Sequence, residues 1–194
     1  MQDTFVFIDA GFLDKLALYL GDGQRIKFDL FCLAKNLSKN QNLFCKKLFY
    51  YNAPPFQSSV PTEDEKRRKQ GYDKFIEKIS RNKNIIIREG RCQKTFDENG
   101  KPKFVQKGVD TLITMDLSEL CFEHKNIKKI ILVSSDTDFC PIIKKIKEKG
   151  IEVILYSYFN KERHSKFSLS NELIDCCSSY FKIEKNDLLT CKLG

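Results

Sequence analysis

The chain predicts an α/β fold: a mainly parallel sheet with helices on both faces. Three observations carry this. Apolar runs of strand length alternate along the 194 residues with stretches of helical periodicity, the order in which crossover helices join parallel strands. The strand candidates "TFVFID", "KIILVS" and "IEVILYS" are nearly unbroken in apolar residues, as strands covered on two faces are. Turn and cap signals fall between these segments rather than within them.

The first strand candidate, Thr4–Asp9, ends in an acid. Gly11 follows, then an apolar-periodic helix from Phe12 to Leu20, stopped by "GDG". Asp29 is placed to cap a helix through Leu37, since its carboxylate accepts from the free N–H groups of a first turn. A second strand within "CKKLFYYNAPP" is cut off by Pro54 and Pro55, which lack a ladder donor. Thr62 and Glu65 then have the spacing of a capping box. Tyr72, Phe75, Ile76 and Ile79 recur at helical spacing behind them. "NIIIRE" reads as a third strand, and residues 91–107 as a β-hairpin insertion. Its turn is Asn99-Gly100, a pair suited to positive φ.

Val109, Leu112, Ile113, Leu117 and Leu120 form one helical stripe. After the strand ending near Ser134, "FCPIIKKIKEK" reads as a helix closed by Gly150, and residues 151–157 as another strand. A helix from about Ser170 to Cys177, a segment near "YFKI" and a short tail from about 184 to 194 complete one domain over 1–194.

Composition narrows the partners. A formal charge of +8 favours a polyanion. The runs Lys66-Arg67-Arg68-Lys69 and Lys144-Lys145-Lys147 either meet phosphates or merely solvate helices. No apolar run approaches the roughly 18 residues of a membrane span. The opening "MQDTFVFIDAG" lacks the basic start of a signal peptide, so the expected location is the cytoplasm. Cys32, Cys45, Cys121 and Cys140 lie among apolar residues and read as reduced core thiols. With no C-x-x-C pair, and with His124 and His164 forty residues apart, a zinc site is not expected.

Sheets of this kind bind ligands beyond the carboxyl ends of their strands. Asp9 ends the first strand, Asp136 ends "IILVS", Asp138 follows two residues on, and Asp110 opens the helix after the hairpin. Like charges at 4 Å repel by about 4 kcal/mol at an effective dielectric of ~20, so four converging carboxylates call for a cation. Their hard oxygens suit Mg²⁺ or Mn²⁺. Each acid also has a plain structural reading. Asp138 would be a helix cap, Asp110 a complement to a helix dipole, and Asp9 a strand end in solvent.

The segments "FVFIDAGFL", "QKGVDTLITMDL" and "ILVSSDTDFCPIIKKIKEKGIEVILYS" resemble the NYN domain family of PIN-like nucleases. "FYYNAPP", "IREGR" and "SNELIDCCSSYFKI" extend the similarity in order over nearly the whole chain. The resemblance implies a three-layer α/β/α fold, PIN-like within the broader Rossmann-like group. It also implies a divalent-metal ribonuclease leaving a 5′-phosphate and a 3′-hydroxyl. The family's acids carry onto Asp9, Asp110, Asp136 and Asp138. Asp116 matches a further acidic position, but six residues past Asp110 it lies about 240° round an ideal helix, which argues against direct ligation. The chain departs from the family pattern at Phe12, where many members have Asn, at Ser135, where glycine is usual, and at Ser178, where an acid is usual.

For the nucleic acid, expected to be single-stranded RNA, Arg91, Lys107, Ser134 and Ser135 are the candidate contacts. Tyr50, Tyr51 and Phe56 either stack on bases or pack in the core. The competing function is a catalytically weak RNA-binding or adaptor module that keeps the fold. A TOPRIM-type reading fits less well because Asp9 stands where that module expects a glutamate, at a rather long separation from the D-x-D. A haloacid-dehalogenase-like phosphatase fits less well because "IDAGF" lacks the second acid of D-x-D-x-T.

Overall fold

A computed structural model describes residues 1–124, 126–160, 167 and 170–193. The sheet has six strands: β1 (Gln2–Asp9), β2 (Leu43–Asn52), β3 (Ile85–Glu89), β6 (Lys129–Val133), β7 (Glu152–Ser157) and β8 (Ser179–Lys182). Their order is β3-β2-β1-β6-β7-β8, and every pairing is parallel. The chain winds outward from β1 to β3, returns, and winds the other way from β6 to β8. The β1/β6 crevice is therefore the point where topology reverses, the usual ligand position of such sheets.

Alternation along β1 supplies both faces. Val6 and Ile8 join one core, with α1 (Ala10–Leu20), α2 (Leu30–Asn40), α3 (Glu63–Ser80) and the short α7 (Lys185–Leu189) packed on it. Phe5 and Phe7 join the other, beneath α4 (Val109–Glu123), α5 (Cys140–Glu148) and α6 (Asn171–Cys176). Three layers, α/β/α, follow from this period of two. Asp29 caps α2 by accepting from the Cys32 N–H at 2.6 Å, and Thr62 and Glu65 complete the expected capping box on α3. Tyr50 and Tyr51 are core side chains, 2% and 0% exposed, which removes them as base-stacking candidates.

The hairpin, β4 (Arg91–Phe96) with β5 (Pro102–Lys107), forms a separate antiparallel sheet. Its turn corrects the expectation of two positive φ angles: Gly100 alone takes one, at 72°. The turn is held instead by Asp97, whose Oδ1 accepts from the N–H groups of Asn99 and Lys101. Residues 184–194 include helix α7, and Leu188 is fully buried. Cys32 pairs with Cys191 in a disulfide, so the reading of Cys32 as a reduced core thiol is corrected. Cys45 and Cys140 are buried free thiols. The Cys121 side chain and His164 lie outside the described residues.

Candidate active site

Asp9 serves two elements at once. It is the last residue of β1 and the cap of α1, its Oδ1 accepting from the N–H groups of Gly11 at 2.9 Å and Phe12 at 3.3 Å. Oδ2 accepts from the Ser134 hydroxyl at 3.3 Å, and the Ser134 Oγ accepts in turn from the Asp136 N–H at 3.2 Å. Ser134 thus ties the ends of β1 and β6 together across the crevice. It is fully buried, which removes it as a phosphate contact. Asp136 stands three residues beyond β6 rather than at its end, and its Oδ1 accepts from the Asp138 N–H at 2.9 Å to cap a 3-10 turn, Thr137–Phe139. The cap expected of Asp138 belongs to Asp136.

Asp110 is the second residue of α4, where Gly108, at φ 82°, makes the entry turn. Three N-terminal ends, those of α1, α4 and the 3-10 turn, carry these acids, and their free N–H groups favour negative charge. A cavity of about 390 Å³ is walled by Asp9, Asp110, Ser135 and Asp136, with Lys15 and Gln106 among its other lining residues. Asp138 is exposed and outside that wall. Arg91 and Lys107 face each other across the base of the hairpin, also outside it.

Electrostatics link all four acids. Burial pushes the Asp9 carboxyl above the ordinary carboxylate range against its backbone hydrogen bonds, and the Asp110 charge adds to the rise. Asp110 is raised by burial and by the charges of Asp136 and Asp138. Among the described residues no lysine or arginine forms an ion pair with any of the four.

Asp116 lies elsewhere. It is 8% exposed and grips Arg88 of β3 through two 2.9 Å hydrogen bonds while accepting from the Tyr51 hydroxyl at 2.7 Å. This position matches its angle of about 240° from Asp110 round an ideal helix, away from the acidic cavity.

Residues 3–184 match the NYN domain. The chain belongs to the NYN domain family. A protein of unknown function from Vibrio parahaemolyticus has a crystal structure that superposes with a TM-score of 0.57 at 16% identity, covering 96% of this chain and 95% of that one. That likeness supports the three-layer fold. An uncharacterized protein of Methanocaldococcus jannaschii is 38% identical over 60 residues, 31% of this chain and 25% of the relative. The aligned stretch thus spans a quarter of that relative's length.

In this NYN domain the positions that depart from the family pattern have local work. Phe12 is 5% exposed and packs against Phe167, ring centroids 6.5 Å apart, while also lining the acidic cavity. Ser178 bonds the Val153 N–H through its Oγ at 3.0 Å. Lys15 and Gln106 are among the lining residues not singled out from the sequence. Lys15 was legible in principle, being four residues past Gly11 on the same helical face. Gln106 was masked by its basic neighbour: strand alternation sends Gln106 and Lys107 to opposite faces, and Gln106 is the one that reaches the cavity. A Cβ on Gly11 would stand 3.1 Å from the Gln106 Oε1 and 3.2 Å from the Asp9 Oδ1, so glycine there permits the close approach.

Proposed function

We propose that this NYN domain is a divalent-metal-dependent ribonuclease acting on single-stranded RNA in the cytoplasm. The observation that carries the reading is the group of carboxylates, Asp9, Asp110 and Asp136, without an ion-pair partner among the described residues, around one cavity at the topological reversal of a parallel sheet. No helix among the described residues is long and apolar enough to cross a membrane, and the net charge of +8 suits a polyanionic substrate.

The donor chemistry fits Mg²⁺ or Mn²⁺. Burial and neighbouring charge raise the Asp9 and Asp110 carboxyls, an effect that a bound cation would relieve. Among the described residues no three His, Cys, Asp or Glu side chains stand close enough together to hold a metal ion by themselves. Mg²⁺ is commonly held by one or two carboxylates, with water and substrate phosphate filling the shell. One or two of Asp9, Asp110 and Asp136 are the proposed direct ligands and the remainder would act through bound water, with Asp138 adding charge from outside the wall. A metal bound there would supply Lewis acidity and charge neutralisation at the phosphodiester.

The chain's own contributions are positional. Ser134 fixes the Asp9 and Asp136 ends relative to each other. Lys15, exposed at the cavity wall, is placed to meet a phosphate oxygen. Ser135 offers a hydroxyl at the same wall, while Arg91 and Lys107 offer charge to the strand beyond it.

A second reading, an RNA-binding module with little catalysis, is favoured by Phe12, whose apolar ring occupies the cavity wall. One experiment separates the two. Purified protein with Mn²⁺ is expected to cleave an end-labelled single-stranded RNA, with Asp136→Asn reducing the rate at least about a hundredfold and retaining the wild-type circular dichroism. RNA binding without cleavage in Mg²⁺ or Mn²⁺ would establish the second reading.

A further inference from the structure

A second cavity, of about 600 Å³, opens beside the acidic one between α1, the carboxyl end of β2 and α3. We propose that it receives the base of an RNA nucleotide adjoining the phosphate held at the acids. The proposal rests on the nuclease reading for the path of the strand.

Its volume lies in the range of small-molecule sites, and its chemistry is that of a base pocket with a cationic rim. Tyr72 and Phe75 of α3 supply aromatic surface, which stacks on any base. Asn52, 8% exposed at the end of β2, is fixed by two bonds: its Nδ2 donates to the Tyr50 hydroxyl at 3.4 Å and its Oδ1 accepts from the Ala53 N–H at 2.8 Å. A primary amide has two donors and two lone pairs, so half of that capacity is left for a base edge. Arg25, Lys27 and Arg68 line the cavity against a single acid, Asp14, which Arg25 already pairs. The surplus positive charge suits the phosphates flanking a seated base. Gln106 lines both cavities, so a strand passing that residue connects them.

Gly71 adds an independent sign. It sits inside α3, where glycine weakens a helix relative to alanine. Its φ is not positive, and a Cβ built on it meets nothing within 4 Å. Neither backbone conformation nor crowding requires glycine there. What its missing side chain does is leave the cavity mouth open.

The test uses the full chain carrying Asp136→Asn, which holds RNA without cutting it, and a fluorescein-labelled single-stranded oligonucleotide read by anisotropy. A single abasic ribose is moved along the strand. One position is expected to weaken binding about tenfold, the cost of one missing stack. Adding Gly71→Leu should weaken the intact strand by a similar factor and erase the difference between intact and abasic strands. Its thermal midpoint should be at least that of the parent, which excludes unfolding as the cause. A flat abasic scan, or unchanged affinity in Gly71→Leu, overturns the pocket while leaving the nuclease reading standing. Nucleoside 5′-monophosphates that compete as well as the oligonucleotide would assign the cavity to free nucleotides and also overturn it. A base-dependent scan in a parent protein that never cleaves RNA would keep the pocket and sink the nuclease. Absence of RNA binding sinks both.

Discussion

Single aspartates in this chain have opposite meanings that only their surroundings reveal. Asp110 and Asp116 share helix α4, yet one faces other acids and the other faces a guanidinium. The folded Asp110 carboxyl holds its proton more tightly than the unfolded chain, whose value is about 3.8. Between that value and the raised folded one, the unfolded state binds fewer protons, so stability falls as pH rises through the window. Asp110→Asn removes this effect. The variant is expected to match or exceed wild-type stability at pH 7, with the advantage gone below pH 4. Mn²⁺ should raise the wild-type midpoint more than that of the variant. Asp116→Ala should act the other way, costing about 2–4 kcal/mol, because it strands Arg88 and leaves the buried Tyr51 hydroxyl without an acceptor. Denaturant unfolding of both variants at pH 4 and pH 7 checks the pair. A comparable loss in Asp110→Asn would make that residue structural.

At the scale of elements, two basic surfaces that look alike in the sequence behave differently. On α3, Lys66, Arg67 and Lys69 are taken up by Glu63, Asp64 and Asp73 at helical spacing, pairs worth only a few tenths of a kcal/mol each and already close to neutral as a group. Arg68 alone of the four points elsewhere, over the Phe104 ring at 5.9 Å and into the larger cavity. On α5, Lys147 donates to the Cys176 and Cys177 carbonyls that end α6, so it is a tie between helices. The hairpin differs: neither Arg91 nor Lys107 is ion-paired with a carboxylate among the described residues. RNA affinity should therefore respond to the hairpin and not to the ion-paired Lys66, Arg67 and Lys69 of α3. Arg91→Ala with Lys107→Ala is expected to lower the slope of log affinity against log salt by about 0.7 for each phosphate no longer neutralised, whereas Lys66→Ala with Arg67→Ala leaves the slope unchanged. Equal responses would mean that the strand is bound by overall charge alone.

Across the whole molecule, what could be read in advance was local and what could not was long-range. The capping box at Thr62, the Asp29 cap and the alternation of strands and helices are short-range signals, and the acids at strand ends follow from topology once the sheet is parallel. Helix α7 has only five residues, too few for periodicity to register. The seat of Gln106 against α1 depends on where a hairpin folds back, which spacing does not encode. The same holds for Cys32 and Cys191, whose partnership spans 159 residues. That bond fastens the chain's end to the start of α2, where the Cys191 carbonyl accepts from the Asp29 N–H at 2.7 Å and the Asn36 amide reaches the Cys191 sulfur at 3.2 Å. Leu193, just beyond it, lines the larger cavity, so the tether and the proposed base pocket share a wall. In a reducing compartment such a bond persists only if the fold protects it, and its loop length allows up to about 5 kcal/mol of stabilisation. With Cys32 and Cys191 paired, protein denatured without reductant should titrate two fewer thiols than the eight found after reduction. Reductant should lower its unfolding midpoint, and Cys191→Ser should show the lower midpoint with no further response to reductant. Eight titratable thiols and a midpoint indifferent to reductant would instead mean that packing of Leu188 holds the end of the chain without a covalent bond.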